Sequence, residues 1–91
     1  MHGEYKTPSG KLVVVDCSVR SGRLADVEVS GDFFLEPPEA LAEITGVLEG
    51  MDAGLDTEAI AARLRDALGP EVAMVGFGAE SVAQAVRRAL A

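Results

Sequence analysis

Lys11-Leu12-Val13-Val14-Val15-Asp16-Cys17-Ser18-Val19-Arg20-Ser21-Gly22-Arg23-Leu24-Ala25-Asp26-Val27-Glu28-Val29-Ser30 is the stretch that decides the fold class. Its apolar residues recur with period two on both sides of a glycine-containing turn. In residues 11–19, Val13, Val15, Cys17 and Val19 share one face, and Leu12, Val14, Asp16 and Ser18 share the other. A second strand is expected from Arg23 to Leu35, with Ala25, Val27, Val29, Phe33 and Leu35 on one face against Asp26, Glu28, Ser30 and Asp32. Two such arms around Ser21-Gly22 predict an antiparallel hairpin. A three-residue loop, Arg20-Ser21-Gly22, pairs Cys17 with Ala25, Val15 with Val27 and Val13 with Val29. A two-residue loop sets Cys17 against Asp26 and Val15 against Glu28. A one-residue slip moves every side chain to the opposite face, so the three-residue loop is the expected one.

Toward the N-terminus, Thr7-Pro8-Ser9-Gly10 carries proline and glycine where a tight turn wants them. It separates a short strand, Glu4–Lys6, from the hairpin and makes a three-stranded meander. Toward the C-terminus the period changes. After Glu36-Pro37-Pro38-Glu39, Leu41, Ile44, Val47 and Leu48 follow helical spacing up to Gly50. Asp56 is placed to cap a second helix with Ile60, Leu64, Ala67 and Leu68 on its buried face, stopped by Gly69-Pro70. A third helix begins near Ala79–Ser81 and buries Val82, Val86 and Leu90, with Arg87 and Arg88 suiting its C-terminal dipole. Residues 72–77 are short and apolar, extended or irregular, and residues 50–56 are the expected mobile loop. Strands followed by helices, with no alternation, predict an α+β fold in which about three α-helices pack on one side of a three-stranded antiparallel meander.

The chain has 91 residues, 48% of them hydrophobic, which supports a single domain over 1–91. A domain of this size buries only roughly 60–65% of its unfolded surface. A deep enclosed pocket is hard to build in it, and a site shared across an interface is easier. Net charge is −7, and the longest basic run is Arg87-Arg88. Nucleic-acid binding needs a basic stripe to neutralise phosphates, so it is not expected. No uninterrupted apolar run is longer than Leu12–Val15, which is far short of a membrane span. The first residues lack the apolar core of a secretory signal, and the expected compartment is the cytoplasm.

No catalytic constellation is visible. The one histidine, His2, falls at a terminus expected to fray, and nucleophilic catalysis needs an ordered base. The one cysteine, Cys17, falls on the inward face of a strand, where it acts as a small hydrophobe. Zinc wants several Cys or His ligands, and no metal site is expected. Glu39 and Glu43 share a helix face, which reads as solvated surface. Gly76-Phe77-Gly78 before a helix lacks the spacing of a phosphate loop, and Glu80 follows it.

Other residues point outward to a partner. Phe33 and Phe34 are adjacent, and alternation can bury only one of them on the first face, so Phe34 needs other cover. Lys6 and Lys11, the only lysines, flank the Thr7–Gly10 turn in an otherwise acidic chain. With Asp32 beside the phenylalanines, Lys6, Lys11, Asp32 and Phe34 are the candidate partner interface.

These residues also carry a family resemblance. Gly3-Glu4-Tyr5-Lys6 followed by Gly10-Lys11-Leu12-Val13 resembles the opening of the C-terminal accessory domain of lipoate–protein ligases, with Ser9 in place of the first glycine of the family's Gly-Gly-Lys-Leu element. Gly22-Arg23-Leu24 and then Val27-Glu28-Val29-Ser30-Gly31-Asp32-Phe33-Phe34 resembles its second element, of which Ser30–Phe34 is the most specific part. Glu36–Glu39 resembles the start of the family's first helix. The likeness is strong over residues 3–39 and only compositional over the helices. It implies a non-catalytic accessory domain or small subunit, a component of an ATP-dependent ligase rather than a catalyst alone. The implied partner is the large catalytic lipoate–protein ligase subunit, which holds lipoate, ATP and magnesium. The assembly makes lipoyl-adenylate and moves the lipoyl group to a lysine of an acceptor domain, which this chain meets only indirectly. No cofactor is implied for this chain alone, and no catalytic residue carries over. A sulfur-transfer or iron–sulfur scaffold is the first alternative, for which one exposed thiol or several thiolates would be needed. The second is an unrelated protein-interaction adaptor.

Overall fold

The computed structural model of the chain describes residues 1–32, 34–36, 39–68, 73–75 and 78–91, and of residues 34–36 and 73–75 the backbone only. Strands β1 (His2–Lys6), β2 (Leu12–Arg20) and β3 (Arg23–Gly31) form an antiparallel sheet in the order β1-β2-β3. A short strand β4 (Phe34–Glu36) follows, then helices α1 (Ala40–Leu48) and α2 (Thr57–Leu68), strand β5 (Ala73–Val75) and helix α3 (Ala79–Leu90). The fold is α+β, a meander followed by three helices, as the change of period predicts.

The expected β1–β2 turn and the expected cap of α2 form. Gly10 adopts φ +90° in the β1–β2 turn, and its N–H donates to the Thr7 carbonyl at 2.9 Å. The Asp56 carboxylate accepts the Ala59 N–H at 2.8 Å, which caps α2. The core joins Val13, Val15, Cys17, Val27 and Val29 of the sheet to Ile44 and Leu48 of α1, Ile60 and Leu64 of α2, and Val82 and Val86 of α3. On α2, Ala61 is buried and Ala67 exposed, and Leu90 at the end of α3 is only half-buried.

The hairpin register departs from the expected one. Arg20 pairs with Arg23, Val19 with Leu24, Ser18 with Ala25, and Val15 with Val29. The loop is the two-residue Ser21-Gly22, with both residues at positive φ, 53° and 76°. That backbone twist matches the twist of the flanking strands. The cost foreseen for this register, carboxylates turned inward, is removed by a bulge. Asp26 adopts φ +52°, and the pairing shifts between Asp16 and Ser18, so β3 holds one residue more than β2 here. Leu24 and Val27, three apart, therefore both face the core at 2% and 5% exposure, while Asp26 is exposed. Ala25 leaves the predicted apolar face, and Leu24 takes its place.

The expected long strand from Arg23 to Leu35 is also two elements. It breaks after Gly31, and β4 pairs with β5, Phe34 opposite Val75 and Glu36 opposite Ala73. Of residues 72–77, only Ala73–Val75 are described, and they are extended.

Residues 50–56, read as mobile from the sequence, are fastened to the hairpin and to α3. The Leu24 N–H donates to the Met51 carbonyl, the Gly50 N–H to the Leu24 carbonyl, and the Ala53 N–H to the Gly22 carbonyl, at 2.7–2.9 Å. Arg87 of α3 donates to the carbonyls of Ala53 and Leu55 at 2.9 and 3.2 Å. Met51 is buried beneath these bonds.

Candidate partner-docking site

Three of the four candidate interface residues meet at one end of the sheet. Lys6 is the last residue of β1 and pairs with Leu12, the first of β2. Lys11 immediately precedes Leu12, and its N–H donates to the buried Thr7 hydroxyl at 3.0 Å. Asp32 follows β3. Its carboxylate accepts the Leu12 N–H at 2.6 Å, and its own N–H donates to the Leu12 carbonyl at 3.3 Å. Leu12 is thus the hub that brings a turn lysine, a strand-end lysine and an aspartate together. Neither lysine ammonium forms an ion pair among the described residues, so both charges are available to a partner. The Phe34 backbone belongs to β4, directly beyond Asp32; its side chain lies outside the described residues.

The two residues weighed for chemistry have clear surroundings. His2 is not frayed. It is a β1 residue opposite Asp16, and its ring nitrogens lie 2.7 Å from Glu4 Oε2 and 2.6 Å from Asp16 Oδ1. The Glu4 hydrogen bond first, and the Asp16 hydrogen bond next, raise its pKa above 6.5. The ring is exposed and engaged by carboxylates on both sides, an ion-pair arrangement on the outer face of the sheet. Sequence reading missed this because it took His2 as terminal, whereas β1 begins there. Cys17 is 5% exposed, and burial pushes its thiol pKa up. A reactive thiol needs the opposite, an electropositive and accessible setting. Among the described residues no three His, Cys, Asp or Glu side chains are grouped to hold a metal ion, and no helix is long and apolar enough to cross a membrane.

The chain is a small α+β fold with Lys6, Lys11 and Asp32 gathered at one end of its main sheet. Its likeness to a solved structure is specific. A chain in the structural analysis of an archaeal lipoylation system, a bi-partite lipoate protein ligase and its E2 lipoyl domain from Thermoplasma acidophilum, superposes with a TM-score of 0.79. The two are 26% identical, and the match covers 96% of this chain and 93% of that one. The resemblance read from residues 3–39 therefore extends to the whole fold, helices included. No protein-family model and no curated protein matches the chain.

Proposed function

We propose that this chain is the accessory subunit of a two-component, ATP-dependent lipoate–protein ligase. It docks on a large catalytic subunit and assists formation of lipoyl-adenylate there. The observation that carries the reading is the near full-length likeness, on both chains, to a protein of a bi-partite lipoate ligase system. Lys6, Lys11, Asp32 and Phe34 are the proposed contact, because the ammonium groups form no ion pair among the described residues and Asp32, at the same sheet end, leads into β4. In this reading lipoate, ATP and magnesium bind to the large subunit. Lipoate and ATP form lipoyl-adenylate with release of pyrophosphate, and a lysine of the acceptor domain then displaces AMP. The accessory chain contributes surface rather than a nucleophile, and it works in the cytoplasm.

Lipoate-dependent ATP–pyrophosphate exchange by the large subunit, with and without this chain, tests the proposal. Exchange that requires the chain supports it. Equal exchange in its absence refutes the accessory role in adenylation. Lys11→Ala and Phe34→Ala test the contact, and unchanged binding of both variants to the large subunit would move the contact elsewhere. The sulfur-transfer alternative meets a buried thiol with a raised pKa, and nothing in the geometry favours it.

A further inference from the structure

Strand β3 is an edge of the main sheet, and its outer edge faces a groove. The Asp32 N–H bonds to Leu12 on β2, whereas the Val27 N–H points the other way, to the Glu49 carboxylate at 3.1 Å. Backbone groups alternate sides along a strand. The N–H and C=O of Val29 and the C=O of Val27 therefore point away from β2, and no hydrogen bond reaches them among the described residues. Across the groove runs α1, which presents Ala42, Thr45 and Gly46. A Cβ built on Gly46 meets nothing within 4 Å, so the space beside the helix is open. Three carboxylates, Glu28, Glu39 and Glu49, line the same groove.

We propose that this groove is a strand-addition site for an extended segment of the large ligase subunit that carries at least one lysine or arginine. The inference rests on the accessory-subunit reading and specifies how docking occurs. Unpaired edge groups recognise the backbone of an added strand, and flanking pockets read its alternate side chains. Here the small residues Ala42 and Gly46 leave room for an apolar side chain, and the three glutamates select a basic one. Glu49 already stands where a neighbouring strand's carbonyl would accept from Val27, so it fixes where the added strand begins. Charge argues against a second copy of this chain, since edge-to-edge pairing would oppose glutamates to glutamates in chains of net charge −7. The groove borders the sheet end that carries Asp32, because Ser30 is among its lining residues.

Gly46→Gln separates the possibilities. It fills the groove from an exposed helix position and improves helix propensity, so the chain keeps its fold and melts at the same temperature or higher. Binding to the large subunit is measured by calorimetry, at low and moderate salt, together with amide hydrogen exchange. The expected result is affinity lower by about tenfold or more for Gly46→Gln. Wild-type affinity should fall with salt, and Glu39→Lys should also weaken binding. The Val29 amide should exchange fast in the free chain and slowly in the complex, while the Ser30 amide, already bonded to β2, is slow in both. If the large subunit binds wild type and Gly46→Gln equally, or the Val29 amide gains no protection, the groove assignment is overturned and the accessory reading stands. If the large subunit does not bind the wild-type chain, the accessory reading falls and takes this inference with it. A stable homodimer through β3 in sedimentation would also overturn it.

Discussion

Gly3 of β1 lies directly against Ala89 of α3, so closely that a Cβ on Gly3 would come within 2.8 Å of the Ala89 Cα and overlap the Ala89 backbone nitrogen and the Ala85 carbonyl oxygen. The glycine sets how near the last helix can approach the first strand. Ala85 and Ala89 keep the helix side of that contact equally thin. Arg88 fastens the same junction, donating to the Glu4 carbonyl at 3.0 Å and lying 5.1 Å from the centre of the Tyr5 ring.

Gly3→Ala is therefore expected to destabilise the chain by about 1–3 kcal/mol, because the clash is with backbone and no side chain can swing aside. Urea denaturation measures it. A loss below about 0.5 kcal/mol would show that α3 does not press on β1 in this way.

Deleting Asp26 should be tolerated. The deletion removes the extra residue and leaves Leu24, Val27 and Val29 in simple alternation on the buried face, opposite an uninterrupted β2. It also removes the exposed Arg20–Asp26 ion pair at 2.5 Å. Stability is expected to stay within about 1 kcal/mol of wild type, the usual worth of such a pair. Deleting Glu28 instead should destabilise the hairpin, since it makes Val27 and Val29 adjacent and two neighbouring strand residues cannot both face the core. Circular dichroism and thermal melts distinguish the two variants.

Arg87→Ala should loosen residues 50–56. The guanidinium donates to two loop carbonyls, and hydrogen bonds to a charged donor contribute roughly 1.5–3 kcal/mol each before allowance for exposure. The Arg87 site is partly buried, so the lower end is expected. Faster amide exchange at Ala53, with the core amides less affected, would locate the effect.

The His2 bridge makes stability depend on pH in a defined direction. Its folded pKa lies above the ordinary 6.5 because the Glu4 and Asp16 carboxylates hold the imidazolium. The contribution is complete below pH 6.5 and is lost as pH rises through the folded pKa. Denaturation midpoints measured between about pH 5 and pH 8 should hold up to about pH 6.5 and fall above it, and His2→Gln should flatten that fall. An unchanged slope in the variant would place the dependence elsewhere.

The sequence by itself determined the periods. Alternation in residues 11–30 specified a hairpin, Asp56 specified a cap, and the apolar stripes Leu41–Leu48, Ile60–Leu68 and Val82–Leu90 specified three helices, because these signals are local and each element must bury one face. It also placed Lys6, Lys11 and Asp32 around one turn and one strand end. Only the tertiary structure decided the register. A two-residue loop and a bulge at Asp26 satisfy the same alternation as a three-residue loop does, and the choice falls to whether Leu24 or Ala25 packs under the helices. Tertiary structure likewise decided that His2 meets two carboxylates and that residues 50–56 are held by Arg87. It also set α1 alongside the outer edge of β3 with a groove between them. Those relationships join residues far apart in the chain, and no local pattern encodes a distance between elements that only core packing sets.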